Sequence, residues 1–297
     1  MPDDTTSSDA DHAMRHWQGA ESGPIAIGSA AHMRLFCRML LDTHNPYKPA
    51  IMVWPQLAPD ALQRITSLPI WDIAVQTEGR AMLRARAYAD TVRDPLLHEA
   101  LCMDAGEEAR HKVVLGHLVQ SYGIPLEPEP EYAMPEDPEW DWLVTGYSEC
   151  IDSFFGFGLF ESAKRTGYFP AELVETFEPV IQEEARHILF FANWVAWYRR
   201  QLPWWRRPAF RLRELRVWAF LVWERIGIAK GLDSKGQVQD ANFALSGGGQ
   251  LNDELKVGEL LRLCLIENDR RMAGYDPRLL RPRIVPRMAR LARLFLR

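Results

Sequence analysis

The pentapeptide Glu-Glu-Ala-Arg-His occurs twice in this chain, at Glu107 to His111 and again at Glu183 to His187. In each copy the second glutamate and the histidine are three residues apart. On a helix they lie about 300° apart around the axis and so share one face. Two such helices, with one more carboxylate from each of two neighbours, form a cage for a pair of metal ions. A single Glu-x-x-His is common and means little. Two copies in matching amphipathic contexts restrict the chain to folds that lay two long helices side by side.

The rest of the sequence supports a helical reading. With 297 residues, 47% of them hydrophobic and 25% charged, the chain is long enough to bury a substantial core. No apolar run approaches the roughly 20 residues of a membrane-spanning helix. A net charge of −5 gives no reason to expect a nucleic-acid partner. Cys37, Cys102, Cys150 and Cys264 form no C-x-x-C pair, which argues against a zinc ribbon, a rubredoxin-type site or a disulfide framework. Residues 1–28 are polar and acidic, without the cationic start and apolar core of a signal peptide. They read as a flexible N-terminus, and the cytoplasm is the expected compartment.

Residues 29–70 read as an N-terminal helix, Ala30 to Leu41, followed by a Pro-rich cover from His44 to Pro59 that holds Tyr47 and Trp54. Four longer helical patterns fill residues 71–200. Helix A runs from about Trp71 to Val92. Helix B runs from Pro95, suited to a first turn, to about Tyr122. Five prolines between Gly123 and Glu139 exclude a helix there and mark an extended connector. Helix C follows from about Trp140 to Arg165, and helix D from about Pro170 to Arg200 with a proline, Pro179, inside it. No segment alternates as a strand does. The expected fold is therefore all-α, a four-helix bundle with a long crossover between its second and third helices and extra helices at both ends. Residues 201–297 form the C-terminal part.

Placing the metal cage at one height in this bundle selects further acids. Glu78 lies about as far before the Asp94-Pro95 turn as Glu108 lies after it, and it is the only acid in the middle of helix A. Helix C offers Glu149 first, Asp152 second and Glu161 third; Glu161 is too close to the turn unless helix D starts at Pro179. The candidate ligands are thus Glu78, Glu108, His111, Glu149, Glu184 and His187. By spacing, His98 and His117 lie off the ligand face.

Glu78, Glu108-x-x-His111, Glu149 and Glu184-x-x-His187 resemble the ferritin-like di-iron carboxylate superfamily. The fuller pattern, acid-Glu-x-Arg-His in both copies, resembles its oxygen-activating branch of oxidases and monooxygenases. The resemblance covers residues 70 to 200. It implies two iron ions, with a Mn/Fe pair as the alternative. It also implies O2, an apolar or aromatic small-molecule substrate, and an external electron donor such as a ferredoxin or flavin reductase. It further implies that Glu107 and Glu183 accept hydrogen bonds from the ligand histidines, with Arg110 and Arg186 as their anchors. The chain departs from iron-storage ferritins by its C-terminal third and from rubrerythrins by its cysteines. It lacks the extra histidine of arylamine N-oxygenases, since Val180 stands one turn before Glu184. A ferroxidase, peroxide-scavenging or metal-buffering role is the alternative reading of the same site.

Phe154, Phe155 and Phe157 on helix C and Phe190, Phe191 and Trp194 on helix D read as core packing or as the wall of a substrate pocket. Gly156 and Gly158 would make room for substrate or for a close helix contact. Beyond Pro203, Trp204, Trp205, Trp218 and Trp223 interleave with arginines, and Arg278 to Arg297 alternates arginine with apolar residues. The favoured reading is that a helix over 208–229 covers the bundle with its Trp face and shows arginine to water. The alternative is peripheral membrane or carrier-protein contact, for which the basic tail is the better candidate. A structural metal site would then serve a binding module. A homodimer is left open. Ser246-Gly-Gly-Gly249 reads as a flexible loop, not a phosphate cradle.

Overall fold

The computed structural model describes residues 12–48, 53–229 and 256–296. Among them there is no strand, only an isolated bridge between Trp17 and Tyr275. The helices are α1 (Ala30–Asp42), α2 (Pro59–Thr66), α3 (Trp71–Ala89), α4 (Pro95–Ser121), α5 (Pro138–Arg165), α6 (Ala171–Gln201), α7 (Arg207–Ala229), α8 (Val257–Met272) and α9 (Ile284–Ala292). The fold is all-helical, as expected. No described helix is long and apolar enough to cross a membrane.

Local chemistry sets the helix ends. Asp94 caps α4 by accepting from the backbone N–H of Leu96 and Leu97 at 3.1 and 3.0 Å, with Pro95 in the first turn. Asp137 caps α5 by accepting from Trp140 N at 3.0 Å, so α5 begins at Pro138, two residues before the expected start. Gly123 and Gly167 follow the C-caps with φ of 64° and 69°, a left-handed conformation that a β-carbon disfavours. α6 runs through Pro179 without a break.

α3 packs on α4 and α5, and α6 packs on α5 and α4, which closes a ring of four long helices. α1 lies on α4 and α6, and α8 lies along α5 and α6. The core is split in two along the helix axes. One apolar cluster holds Leu97 to Ala105 of α4 together with Ala185 to Val195 of α6 and Phe36, Trp142 and Phe154. The other holds Val114 to Val119 of α4 with Leu173 and Val180 of α6 and Trp54, Ile65 and Trp71. Glu107 to His111 falls between the clusters on α4, and Glu183 to His187 lies at their boundary on α6, where Ala185 already belongs to the first. Burying acids and histidines there is costly unless they are paired, so each of them needs a partner within the bundle.

Several expectations change. α2 and α8 were not foreseen. Residues from Met14 onward are tied down and not free: Tyr275 donates to Met14 O, Arg15 donates to Gln182 Oε1 at 3.1 Å, and Gly19 N donates to an Asp276 oxygen at 2.9 Å. The Trp face of α7 is not turned inward, since Trp204, Trp205 and Trp223 are exposed and only Trp218 is half-buried. The loop expected at 246–249 lies outside the described residues.

The two glycines of α5 have opposite roles. A β-carbon on Gly158 would sit 2.3 Å from Cys264 Sγ and 2.8 Å from its backbone N, so α5 and α8 touch backbone to backbone there. A β-carbon on Gly156 meets nothing within 4 Å. Gly158→Ala should therefore lose about 1–3 kcal/mol of stability through overpacking. Gly156→Ala should gain about 1 kcal/mol of helix propensity. Urea unfolding of the two variants checks the opposite signs.

Candidate metal centre

The two histidines are held in mirrored fashion. His111 of α4 places Nε2 2.8 Å from Glu183 Oε2 of α6, while His187 of α6 places Nε2 2.8 Å from Glu107 Oε2 of α4. Each carboxylate can only accept, so both Nε2 atoms carry the proton and donate. The Nδ1 atoms then face inward. His187 Nδ1 is 2.8 Å from Glu108 Oε1; His111 Nδ1 is 3.2 Å from Glu184 Oε1 and 3.6 Å from Glu78 Oε2. Ligand atoms of Glu108, His111, Glu184 and His187 all lie within 4.8 Å of one another.

The acids that orient the histidines are themselves clamped, again symmetrically. Glu107 receives Arg186 at 2.9 and 2.8 Å and His44 Nδ1 at 2.7 Å. Glu183 receives Arg110 at 2.5 Å and the Tyr47 hydroxyl at 3.1 Å. Arg186 also donates to Thr43 Oγ1 and Leu40 O, and Arg110 to Asn45 O, with its guanidinium 4.1 Å from the centroid of the Tyr47 ring. α1 and the chain just after it thus close one side of the site. His44, Tyr47 and Thr43 were missed because a loop carries no periodicity that would mark them.

On helix C the three candidates separate. Glu149 has a buried Oε1 with no hydrogen-bond partner and lies among Glu108, Asp104, His187 and Glu184. Asp152 is held by Arg225 of α7 at 2.9 and 3.0 Å and by Ser148 at 2.9 Å. Glu161 pairs with Arg165 at 2.6 Å near the end of α5. The structure brings Glu149 together with Glu78, Glu108, His111, Glu184 and His187, and does not bring Glu161. His117 accepts from Trp54 Nε1 at 3.2 Å, and His98 lies beside Cys102. Asp104, one turn before Glu108 on the same face, is an additional buried acid. Its i−4 spacing from Glu108 was the available signal.

On the side away from α1 lies a cavity of about 190 Å³. Glu78, Glu108, His111, Glu149 and Glu184 form its floor. Ile70, Trp71, Leu115, Phe160, Phe169, Phe177 and Val180 line one end; Arg84, Thr145, Ser148 and Asp152 line the other. Thr145 is buried and its hydroxyl has no partner. Of the aromatic residues singled out on helices C and D, only Phe157 lines the cavity. Phe154, Phe190, Phe191 and Trp194 belong to the core. Gly156 does line the cavity, which explains the open space around it.

Burial and mutual repulsion shape the electrostatics of this cluster. Burial first, then Glu78 and Glu184, raise the carboxyl of Glu108 well above its ordinary value against the opposing pull of His187. Burial, then Glu108 and Asp104, do the same to Glu149. Asp104 is pushed up to about 6, chiefly by burial. Burial opposes the charged form of both histidines, but the acids around them win. Glu183, Glu184 and Glu78 hold His111 well above the usual imidazole value, and Asp104, Glu107 and Glu108 hold His187 there. The metal-free cluster therefore carries protons that a cation must displace. Metal uptake should weaken as pH falls and release at least about two protons per filled site. Titration calorimetry in buffers of different ionisation enthalpy measures this; heats independent of buffer would contradict it.

No family model, no curated protein and no solved structure matches the chain. The residues themselves can be tested for fit. Glu149 Oε1 is buried without a hydrogen-bond partner, although such atoms are rarely left orphaned, and Glu108 Oε1, His111 Nδ1 and His187 Nδ1 meet only the charged groups of the cluster itself. Two imidazole nitrogens amid carboxylate oxygens suit iron or manganese.

Proposed function

We propose that the chain is a ferritin-like di-iron protein of the oxygen-activating kind, an O2-dependent oxidase or oxygenase acting on an apolar or aromatic small molecule. The observation that carries this reading is the convergence of Glu78, Glu108, His111, Glu149 and Glu184 on one largely apolar cavity, with His187 Nδ1 2.8 Å from Glu108 Oε1. The closed ring of α3, α4, α5 and α6 supports a ferritin-like four-helix bundle.

Glu78, Glu108, His111, Glu149, Glu184 and His187 would hold the pair of ions, Fe/Fe or Mn/Fe. When bound and reduced, such a pair would supply two electrons to dioxygen. Glu107 and Glu183 fix both imidazoles with Nδ1 toward the ions, as oriented metal-bound histidines require. Trp71, Phe157, Phe160 and Phe177 exclude water and pack the substrate, and the Thr145 hydroxyl is available to a polar group on it. Electrons come from a separate ferredoxin or flavin reductase. The apolar cavity favours an organic substrate over ferroxidase or peroxide-scavenging use of the same ions, which needs only a shallow, wet site.

The deciding experiment is to load the protein anaerobically with Fe(II), count the metal, admit O2 and follow the absorption spectrum. Two irons per chain and a transient visible band support the proposal. Absence of bound iron, or of any reaction with O2, rejects it. Iron oxidation that no panel of apolar compounds couples to product selects the ferroxidase alternative.

A further inference from the structure

α7 carries two apolar stripes. The inner one, Phe210, Val217 and Leu221, is buried against the rest of the protein. The outer one, Leu212, Leu215, Ala219, Val222, Trp223 and Ile226, recurs at three- and four-residue spacing and faces solvent, with Leu215 65% and Trp223 77% exposed. A helix that is apolar on two sides has a second face to cover, and contiguous exposed apolar surface marks an interaction site. At 100° per residue, exposed Arg211 and Arg216 fall on opposite edges of the outer stripe. Trp204 and Trp205, 75% and 63% exposed, stand at its N-terminal end beside Arg206. The two acids of α7 are elsewhere: Glu214 is buried and bonded to Tyr147 and Arg199, and Glu224 is half-buried off the stripe.

We propose that the outer face of α7 seats the protein on an anionic phospholipid surface. Charge complementarity selects this occupant over a second copy of the chain. A row of aliphatic side chains with tryptophan, edged by arginine on both sides and free of acids, matches acyl chains beneath anionic headgroups. Pairing with its own twin would set arginine against arginine. α9 repeats the pattern, with exposed Ile284, Met288 and Leu291, and Phe295 just beyond its end, beside Arg283 and Arg287. The proposal does not depend on the metal reading. It does place the lipid contact next to the cavity, because Arg225 of α7 donates to Ser148 and Asp152, both of which line it.

The test is co-sedimentation of the full chain with vesicles of phosphatidylcholine, with and without phosphatidylglycerol, while tryptophan emission is recorded. Binding to the anionic vesicles with a blue shift, weakened by salt, is expected. Leu215→Ser/Trp223→Ser should lower it about tenfold or more, and Arg211→Gln/Arg216→Gln should abolish the preference for the anionic lipid. Circular dichroism and the thermal midpoint should not change, because these side chains are exposed. Wild-type protein that ignores anionic vesicles, or binds both kinds equally, overturns the proposal. So does a dimer in sedimentation velocity that the Leu215/Trp223 variant converts to a monomer. Retention on immobilised polyglutamate with the same dependence on Leu215 and Trp223 would assign the face to an acidic protein instead.

Discussion

Arg186→Met should be among the most damaging single substitutions in this protein, at about 3–5 kcal/mol of stability. Arg186 and Glu107 are both fully buried, with NH1 2.8 Å from Oε2. Taking two charges out of water is expensive, and only their mutual attraction and further hydrogen bonds offset it. Methionine preserves the volume and removes the attraction, so Glu107 keeps a buried charge with His187 and His44 as its remaining donors. The pH dependence follows with a definite sign. Burial tends to raise the Glu107 carboxyl, but Arg186, His187 and His44 outweigh it and hold it well below the ordinary value. Its stabilising contribution is therefore complete above the ordinary glutamate range and lost as pH falls through the lower folded value. The damage done by Arg186→Met should be largest near neutrality and should shrink in acid, where Glu107 is protonated in the variant. Glu107→Gln added to Arg186→Met should recover part of the loss, since a neutral amide no longer needs the guanidinium. Urea unfolding of the two variants across pH measures both effects; a loss that does not vary with pH would mean that charge is not its cause.

Glu108→Ala has the largest expected effect on the site. Outer carboxylates that orient a ligand histidine change metal affinity by about 10–100-fold, and loss of a ligand itself should exceed that. Glu183→Gln therefore belongs in the 10–100-fold range, and Glu108→Ala beyond it, with reaction toward O2 abolished. The fold should survive. Removing Glu108 also removes a carboxyl that burial and Glu78 disfavour, so the metal-free protein keeps its helicity. Equilibrium metal binding, circular dichroism and O2 uptake on the two variants make the comparison. A Glu108→Ala protein that reacts with O2 like the wild type would remove Glu108 from the ligand set.

What the sequence reveals depends on whether a residue's partner is near it along the chain. Capping is local, so Asp94-Pro95, Gly123 and Gly167 mark helix ends that the structure reproduces within a few residues. Helical periodicity is nearly local, and it placed Glu108 with His111 and Glu184 with His187. α8 escaped because Glu267, Asn268 and Arg271 are buried on its inner side and interrupt the apolar period; Arg271 pairs there with Glu178 of α6. His44 and Tyr47 escaped because their partners are 63 and 136 residues away. Tryptophan on α7 misled for a different reason. Burying it is favourable wherever a partner surface exists, but Phe210, Glu214, Val217 and Leu221 already fill the inner positions.

The crossing of the two orienting acids has a consequence for how the centre can exist at all. Glu107 serves the histidine of α6, and Glu183 serves the histidine of α4. Neither half of the repeat can therefore orient its own imidazole. An α3–α4 hairpin alone would offer two glutamates, Glu78 and Glu108, and an imidazole without its orienting acid, and α5–α6 would likewise offer Glu149, Glu184 and an unoriented ring. Both imidazoles are oriented only in the pair, each half supplying the acid for the other's ring. The candidate centre is thus a two-half site drawn with a single chain, and the long connector between α4 and α5 is what makes the two halves one molecule.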